Sequence, residues 1–466
     1  MNLSPQAEAL AVIVVAVVVL WITEALPLAV TALLGAVACV LAGVAPAAEV
    51  FAPFADPLIF LFIGSFLLAE AIRLHGLDKR LAFAVLAVPW VGERPGRILA
   101  AVAVVCAVAS GFISNTCTAA MMLSIVAGIV AAVEEAAARS GRPPSPAYAT
   151  GLFLCVAFAS SLGGLATPIG TPPNLIGLGF IRSQLGVDIS FPGWCGIGVP
   201  IVAVLTSFMV FVLGRMFPAG VDRLEGVGRF VADERARLGP WNVAQRSVAS
   251  AFAITVLLWV TPGVVLTVLG SDHPVSQLLR ARLPEGVAAL IGGILLFLLP
   301  RGEPGRRRAV LEWTEARIDW GIVLLYGGGM ALGSLCFSTG LARAIGESIQ
   351  VLVPGGEWGA VVLILLATAV AVLTSEFTSN TASANIVVPV AIALGTATGG
   401  EPLPAALAAT FGASLGFMMP VSTPCNAIVY GSGRIPLRSM MAAGVALDVV
   451  GIAVITTAMI VLARFT

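Results

Sequence analysis

Residues 166–176 read ATPIGTPPNLI. Three prolines in this stretch remove backbone donors and clash with preceding carbonyls, and the residue before each proline is pushed towards extended backbone. A helix entering the segment therefore breaks, leaving free carbonyls at the end of one half-helix and free amides at the start of the next. Residues 418–428, MMPVSTPCNAI, repeat the frame Pro-x-x-Thr-Pro-x-Asn-x-Ile, aligning Pro168 with Pro420, Thr171 with Thr423 and Asn174 with Asn426. Upstream of each copy stands a second repeated motif, for 111–122 (GFISNTCTAAMM) and 376–387 (EFTSNTASANIV) share Phe-x-Ser-Asn-Thr. Two motifs in the same order, once per half, define an internal repeat.

The solvent around these motifs is lipid. Of 466 residues 59% are hydrophobic and 11% charged, against about 25% charged in an average soluble domain. Apolar runs long enough to cross a hydrocarbon core of ~30 Å begin with Leu10–Leu26 and Leu28–Val44. They recur around 54–72, 197–214, 247–269, 285–300, 320–337, 359–374, 386–397 and 439–463, which predicts ten to twelve spans. The first ten residues contain no Lys or Arg and the first run is full-length, so a retained first helix is expected rather than a cleaved signal. A net charge of zero offers no basic face to nucleic acid. The seven cysteines are scattered through apolar runs and form neither a disulfide framework nor a metal motif. His75 and His273 fall at predicted helix ends and read as interfacial.

Basic residues concentrate between Arg215 and Arg246 and between Arg301 and Arg317, the latter including Arg306, Arg307 and Arg308. Short basic loops stay in the cytoplasm, and the two runs between these clusters return the chain to the same side. The polar stretch 218–246 divides the protein into halves. Each half reads as about five spans plus a polar-tipped apolar hairpin, near 100–135 and 358–394, and an odd number of spans inverts the second half. Inverted repeats of this kind place a substrate site between them at the midplane in secondary transporters.

The chemistry of the tips is uncharged. Ser110 precedes Ser114 by four residues, as Ser375 precedes Ser379, so each pair is expected on one helical face. Hydroxyls, amides and the carbonyls freed by the broken helices suit a Na⁺ ion, and helix N-termini suit an anion. No Lys or Arg occurs from Ala344 to Gly433 or from Ile98 to Ala138. An anion bound there needs sodium, helix dipoles and Asn or Thr donors for its neutralisation, which is a physical reason for cation coupling.

The run Ala413-Ser-Leu-Gly-Phe-Met-Met-Pro-Val-Ser-Thr-Pro-Cys-Asn-Ala-Ile-Val429 resembles the signature of the divalent anion:sodium symporter family, and the paired Ser-Asn-Thr motifs resemble its other hallmark. Trp21-Ile-Thr-Glu-Ala-Leu-Pro27 with Val30-Thr31, and Phe60-Leu-Phe-Ile-Gly-Ser-Phe-Leu-Leu68, are similar to further family patterns. The resemblance covers essentially the whole chain. It implies an all-α polytopic protein of the cell (inner) membrane. The fold would be an inverted repeat of about five transmembrane helices each, with an extra N-terminal helix, two re-entrant hairpins and two broken helices. It implies a homodimer in the lipid bilayer, sodium ions as cofactor, a small dicarboxylate anion as substrate and an elevator-type movement.

The implied first sodium site uses Ser110, Ser114, Asn115 and Gly170, and the second Ser375, Ser379, Asn380 and Ser422. Substrate carboxylates would meet Asn115 and Thr116 on one hairpin and Asn380 and Thr381 on the other, with Thr171, Thr423 and Pro424 completing the site. The implied division is 1–99 and 247–340 as scaffold, 100–196 and 341–436 as the two halves of a transport domain, 197–246 as a helix with a cytoplasmic connector, and 437–466 as a C-terminal helix. Cys425 departs from the pattern, standing where the first repeat has Pro173. Glu24, Glu376 and Asp448 are carboxyls at membrane depth, where such groups are functional candidates; bonds to neighbouring backbone or helices are the alternative.

The leading function is therefore Na⁺-coupled uptake of C4-dicarboxylates such as succinate, fumarate or malate. Its rivals on the same fold are sulfate or citrate transport and dicarboxylate exchange. An enzyme is excluded by the lack of a His cluster, a Cys/His pair or an activated nucleophile in the spans. A passive channel accounts less well for two unlike broken-helix sites in opposed halves.

Overall fold

A computed structural model of the chain describes residues 3–140, 145–302, 308–349 and 357–464; Arg306 and Arg307 lie outside them. Among the described residues every element is helical, apart from an isolated bridge between Pro300 and Ala309. Ten helices among the described residues are long and apolar enough to span a membrane, or eleven if one pair bent by 61° counts as a span.

α1 (Pro5–Thr23) and α2 (Leu28–Leu41) are separated at Glu24, whose φ of 48° closes α1. Glu24 is exposed there. α3 (Ala47–Phe51) leads through a short 3-10 turn into α4 (Pro57–Leu74), and α5 (Leu77–Leu86) follows. The first hairpin is α6 (Pro95–Ser110) and α7 (Asn115–Ser140), and the first broken helix is α8 (Pro146–Gly163) and α9 (Pro172–Phe180), with a π-helical stretch Ile181–Leu185 after it. Then come α10 (Phe191–Met216), α11 (Val227–Arg237), α12 (Val243–Leu269), α13 (Pro274–Arg282) and α14 (Glu285–Leu298). α15 (Trp320–Ser338) and α16 (Leu341–Ile349) precede the second hairpin, α17 (Glu357–Phe377) and α18 (Asn380–Ala397). The second broken helix is α19 (Pro402–Gly412) and α20 (Pro424–Tyr430), and α21 (Leu437–Leu462) ends the chain.

Packing sorts these helices into two groups. α4 packs on α14 and α12, α2 on α15 and α1. In the other group α6 packs on α8, α17 and α18 on α19, α10 on α8 and α21, and α20 on α7 and α8. Small residues set the close approaches: a Cβ on Gly64 of α4 would lie 2.4 Å from the Ala289 carbonyl carbon of α14, and one on Gly163 of α8 2.4 Å from Ala107 O of α6. Exposure differs from helix to helix: 89% of the most apolar stretch of α8 is buried, against 11% of that of α12, which has few buried residues.

The segments flanking the basic stretches meet at one end of the molecule. His75 Nε2 bonds Val310 O at 2.7 Å, Gln245 Nε2 donates to His75 O at 3.0 Å, and Ser247 Oγ donates to Pro300 O at 3.0 Å. Residues 243–247 therefore lie beside 299–302, with 308–310 close by, as two crossings between the basic stretches require. Positions of the hairpins agree with expectation. The serine pairs do not share a helical face: Ser110 ends α6 and Ser114 precedes α7, Ser375 lies in α17 and Ser379 caps α18. Ser379 Oγ accepts from Ala382 N at 3.2 Å, so a serine that initiates the second arm forces the turn between the pair.

Candidate substrate and sodium site

Both broken helices obey their prolines. Thr171 (φ −148°, ψ 144°) and Thr423 (φ −140°, ψ 150°) are extended ahead of Pro172 and Pro424 and open α9 and α20. The carbonyls freed by the first break then find donors one by one. Asn174 Nδ2 donates to Gly164 O and Thr167 O, both at 2.8 Å, and Trp194 Nε1 of α10 donates to Leu165 O at 3.0 Å. In the second half Asn426 Nδ2 donates to Gly416 O at 3.1 Å and Met419 O at 2.9 Å. Gly164 and Gly416, Thr167 and Met419, Asn174 and Asn426 are pairs at one constant offset, so the sequence repeat is also a repeat of hydrogen bonds.

Gly170 O, outside these clasps, faces Asn115. In the amide orientation that satisfies both ends, Asn115 Nδ2 donates to Gly170 O (3.1 Å), Ser160 O (3.2 Å) and Ser110 Oγ (2.5 Å). Turned over, Asn115 Oδ1 joins three other oxygens, with the Ser110 hydroxyl 2.5 Å away. Four convergent oxygens with one hydroxyl proton among them suit a cation. The second half has the same kernel: Ser375 Oγ stands 2.7 Å from Asn380 Oδ1 and 2.9 Å from Ala413 O, and its single proton serves one of them at a time. The Ser422 hydroxyl is committed to Glu376, 3.0 Å from its carbonyl and 2.7 Å from Oε2. Only the Ser422 carbonyl remains for an ion, as at the side-chain-free Gly170 with which it aligns.

Between the two kernels lies a cavity of about 430 Å³, within the range of small-ligand sites. Ser114, Asn115, Thr116, Gly170 and Thr171 line one side, and Ser379, Asn380, Thr381, Thr423 and Pro424 another. Ser110, Ser375 and Ser422 are buried and lie behind the wall. α7 and α18 begin at this cavity. Their first return bonds run from Thr118 N to Ser114 O and from Ser383 N to Ser379 O, leaving earlier amides without an intrahelical acceptor. α9 and α20 contribute less, because Pro172 and Pro424 have no N–H.

Sequence reading missed the opposite wall. Pro27 and Leu28 at the start of α2, Phe62, Ser65 and Phe66 of α4, and Asp319 with Gly321 and Ile322 at the start of α15 complete the cavity. The stretches around Pro27 and Phe60–Leu68 resembled family patterns, and a serine within an apolar run was the available signal. Asp319, exposed and accepting from Ile322 N at 3.1 Å, is the only charged residue among the described lining. Cys425 also lines it, 1% exposed. Asp448 of α21 is buried, with its carboxyl against that of Glu376 on α17.

Two hairpin tips and two broken helices meeting at one cavity inside a polytopic helical membrane protein define a transporter. The profile of the family described as "Sodium:sulfate symporter transmembrane region" matches residues 1–464, and the chain belongs to that family. The resemblance carried by the motifs is thereby borne out. A sodium-dependent dicarboxylate transporter of Staphylococcus saprophyticus is 32% identical over 458 residues, covering 97% of this chain and 86% of that protein. Its namesake in Staphylococcus aureus strain USA300 is 31% identical over 430 residues, 91% and 80% of the two chains. Among solved structures, the Alcanivorax borkumensis YdaH transporter aligns with a TM-score of 0.58 at 16% identity, over 89% of this chain and 87% of that one. Neisseria gonorrhoeae MtrF aligns at 0.60 and 12% identity, over 88% and 81%. These two share the fold.

Proposed function

We propose that the chain is a secondary active transporter that couples sodium to the uptake of a C4-dicarboxylate such as succinate, fumarate or malate. The observation that carries this reading is a cavity with two Asn-centred oxygen kernels on its flanks, two threonine-bearing tips, and no Lys, Arg or His in its described lining. A dianion entering it also meets the Asp319 carboxylate. Without mobile cations its charge would be balanced only by amides and hydroxyls, so strong binding requires sodium in the kernels first. The names of the staphylococcal relatives support the same substrate and ion.

In this reading Ser110, Ser114, Asn115 and Gly170 hold one sodium ion, and Ser375, Ser379, Asn380 and Ser422 the other. Asn115, Thr116, Thr171, Asn380, Thr381, Thr423 and Pro424 receive the carboxylates. The segments 100–196 and 341–436 move as one transport body against a scaffold of 1–99 and 247–340, carrying the site past a fixed wall in an elevator-type cycle. The outward apolar surface of α12 is the surface on which a homodimer would form. Sulfate is the second reading, favoured by the family's own description.

Uptake of labelled succinate into proteoliposomes, with inward Na⁺, with K⁺ only, and with internal dicarboxylate, tests the proposal. Sodium-driven accumulation is expected. Asn115→Ala and Asn380→Ala are expected to lower apparent Na⁺ and succinate affinity together, since linkage between ligands is reciprocal. Uptake that needs only internal dicarboxylate would make the protein an exchanger, and sulfate outcompeting succinate would promote the second reading.

A further inference from the structure

A second cavity, of about 460 Å³, lies between α5, the first hairpin, α11 and α12. It is at the end of the molecule where Gln245 meets His75. Leu81 and Ala84 of α5, Val108 and Ile113 of the first hairpin and Phe252 of α12 give it apolar walls. Leu81, Ala84 and Val108 are exposed, so one side of the cavity is open. The charged residues in its described lining are Arg80 and Arg235, with no Asp or Glu beside them. Arg80 donates from Nη2 to Leu238 O at 2.8 Å, and Arg235 stands one helical turn before Leu238. Both cations therefore border the same part of the cavity.

Neither charge is cancelled. Arg80 also donates to Gly239 O from Nη1 at 3.0 Å, and its guanidinium lies over the ring of Trp241, 5.2 Å from the centroid. Carbonyls hold a guanidinium in place without neutralising it, and the buried Nε has no acceptor among the described residues. Two arginines of α11 do face carboxylates, Arg229 with Asp233 and Arg237 with Glu234. Arg235 is exposed and has no carboxylate partner among the described residues. A small soluble anion would use the arginines and leave the apolar walls bare. An uncharged acyl chain would do the reverse. A molecule with an acyl chain and an anionic head uses both, and basic pockets between membrane helices suit such heads. Trp241, exposed beside Arg80, is the residue type that settles at head-group level.

We propose that this cavity binds an anionic phospholipid, with an acyl chain between α5, the first hairpin and α12 and the phosphate at Arg80 and Arg235. Phe112 gives the site a consequence. Its ring meets that of Phe252 edge to face, with centroids 5.2 Å apart and planes at 87°. It lines this cavity and the substrate cavity alike, two residues before Ser114. An acyl chain behind Phe112 packs the first hairpin tip against α12 in the arrangement seen here. In the elevator reading the tip moves and α12 does not, so the lipid favours this state over a displaced one. Only that consequence rests on the proposed function; binding of the lipid does not.

The test reconstitutes the full chain into phosphatidylcholine vesicles containing a minor share of phosphatidylglycerol. The chain is then extracted in mild detergent, and native mass spectrometry reads the lipid it retains. Preferential retention of phosphatidylglycerol is expected. Arg235→Gln should lower it about 5-fold, the worth of one arginine near anionic lipid. Ala84→Phe, which fills the cavity from an exposed position, should abolish it. Arg229→Gln is the control, since Arg229 pairs with Asp233 and lies outside the described lining; retention should not change. Equal retention of the two lipids by the unaltered chain overturns the proposal, and so does phosphatidylglycerol retention unchanged in Arg235→Gln. An equal fall in Arg229→Gln and Arg235→Gln overturns it too, because it would mean diffuse attraction to α11. If Ala84→Phe fails to fold, the two arginine variants decide. Retention is read without transport, so a chain that fails to accumulate succinate leaves this result standing.

Discussion

Thr116 and Thr381 occupy matching places, each following the Asn of its kernel and each lining the cavity. With no basic side chain in that lining, their hydroxyls are the strongest side-chain donors available to two separate carboxylates. A hydrogen bond to a charged group contributes about 1.5–3 kcal/mol. Thr116→Val or Thr381→Val is therefore expected to weaken succinate about 10-fold to 100-fold, with little change in melting temperature because valine keeps the β-branch. Competition against labelled succinate measures this, with butyrate as the one-carboxylate control; butyrate matching succinate on the unaltered protein would sink the dicarboxylate reading. The asparagines teach a different lesson. Asn115 and Asn174 stand equally prominent in their motifs, yet Asn115 reaches the cavity while Asn174 is buried and clasps two carbonyls. The family resemblance put Asn115 in the site and gave Asn174 no role there; the repeat alone did not separate them, because which amide faces inward depends on the direction the chain takes after each break.

The reversals are a matter of elements rather than single side chains. That the chain breaks near 111–114 and 166–171 was legible, since proline and Ser-Asn-Thr chemistry leave a helix few options. The expectation of one helical face for Ser110 and Ser114 failed because an N-capping serine starts a new helix instead of extending the old one. The wall from α2, α4 and α15 left only the serine of one apolar run as a signal, since apolar residues facing a cavity and apolar residues facing lipid look alike in sequence. At the tightest point of the first break, a Cβ on Gly170 would lie 2.4 Å from Gly164 O and 2.9 Å from Gly164 C and Cα. Backbone cannot step aside as a side chain would, so Gly170→Ala must displace the loop, at a cost of about 1–3 kcal/mol. Because Gly170 O belongs to the first kernel, apparent Na⁺ affinity is expected to fall at least ~10-fold. Gly96→Ala, in open space at the start of α6, is the control and should leave uptake and melting temperature unchanged. Normal sodium dependence in Gly170→Ala would remove its carbonyl from the proposed kernel.

At the scale of the whole molecule, an ion pair among the described residues joins the two groups of helices. Arg182, beyond α9 in the proposed transport body, donates from Nη2 to Asp56 Oδ1 at 2.9 Å and Oδ2 at 2.6 Å, and Tyr326 of α15 donates to Oδ1 at 3.1 Å. Asp56 and Tyr326 belong to the proposed scaffold, so the contact crosses the boundary along which an elevator would slide. A displacement of even one helical turn, about 5 Å, separates the partners. The pair therefore stabilises the arrangement seen here and no other. Its side chains are 32% and 19% exposed, so its contribution is about 1 kcal/mol, a population shift of about 5-fold between two states. Asp56 also caps α4 through Leu58 N at 2.8 Å. Asp56→Asn keeps a good N-cap and removes only the charge. In a background with the native cysteines replaced, Ile169→Cys places a thiol on the cavity wall. Impermeant maleimide applied to either face of oriented proteoliposomes reads which side that wall meets. Asp56→Asn and Arg182→Gln are each expected to move labelling about 5-fold from one face to the other, while melting temperature stays close to that of the parent. Labelling unchanged on both faces in both variants would mean that this ion pair does not distinguish the states, and that the boundary of the moving body lies elsewhere.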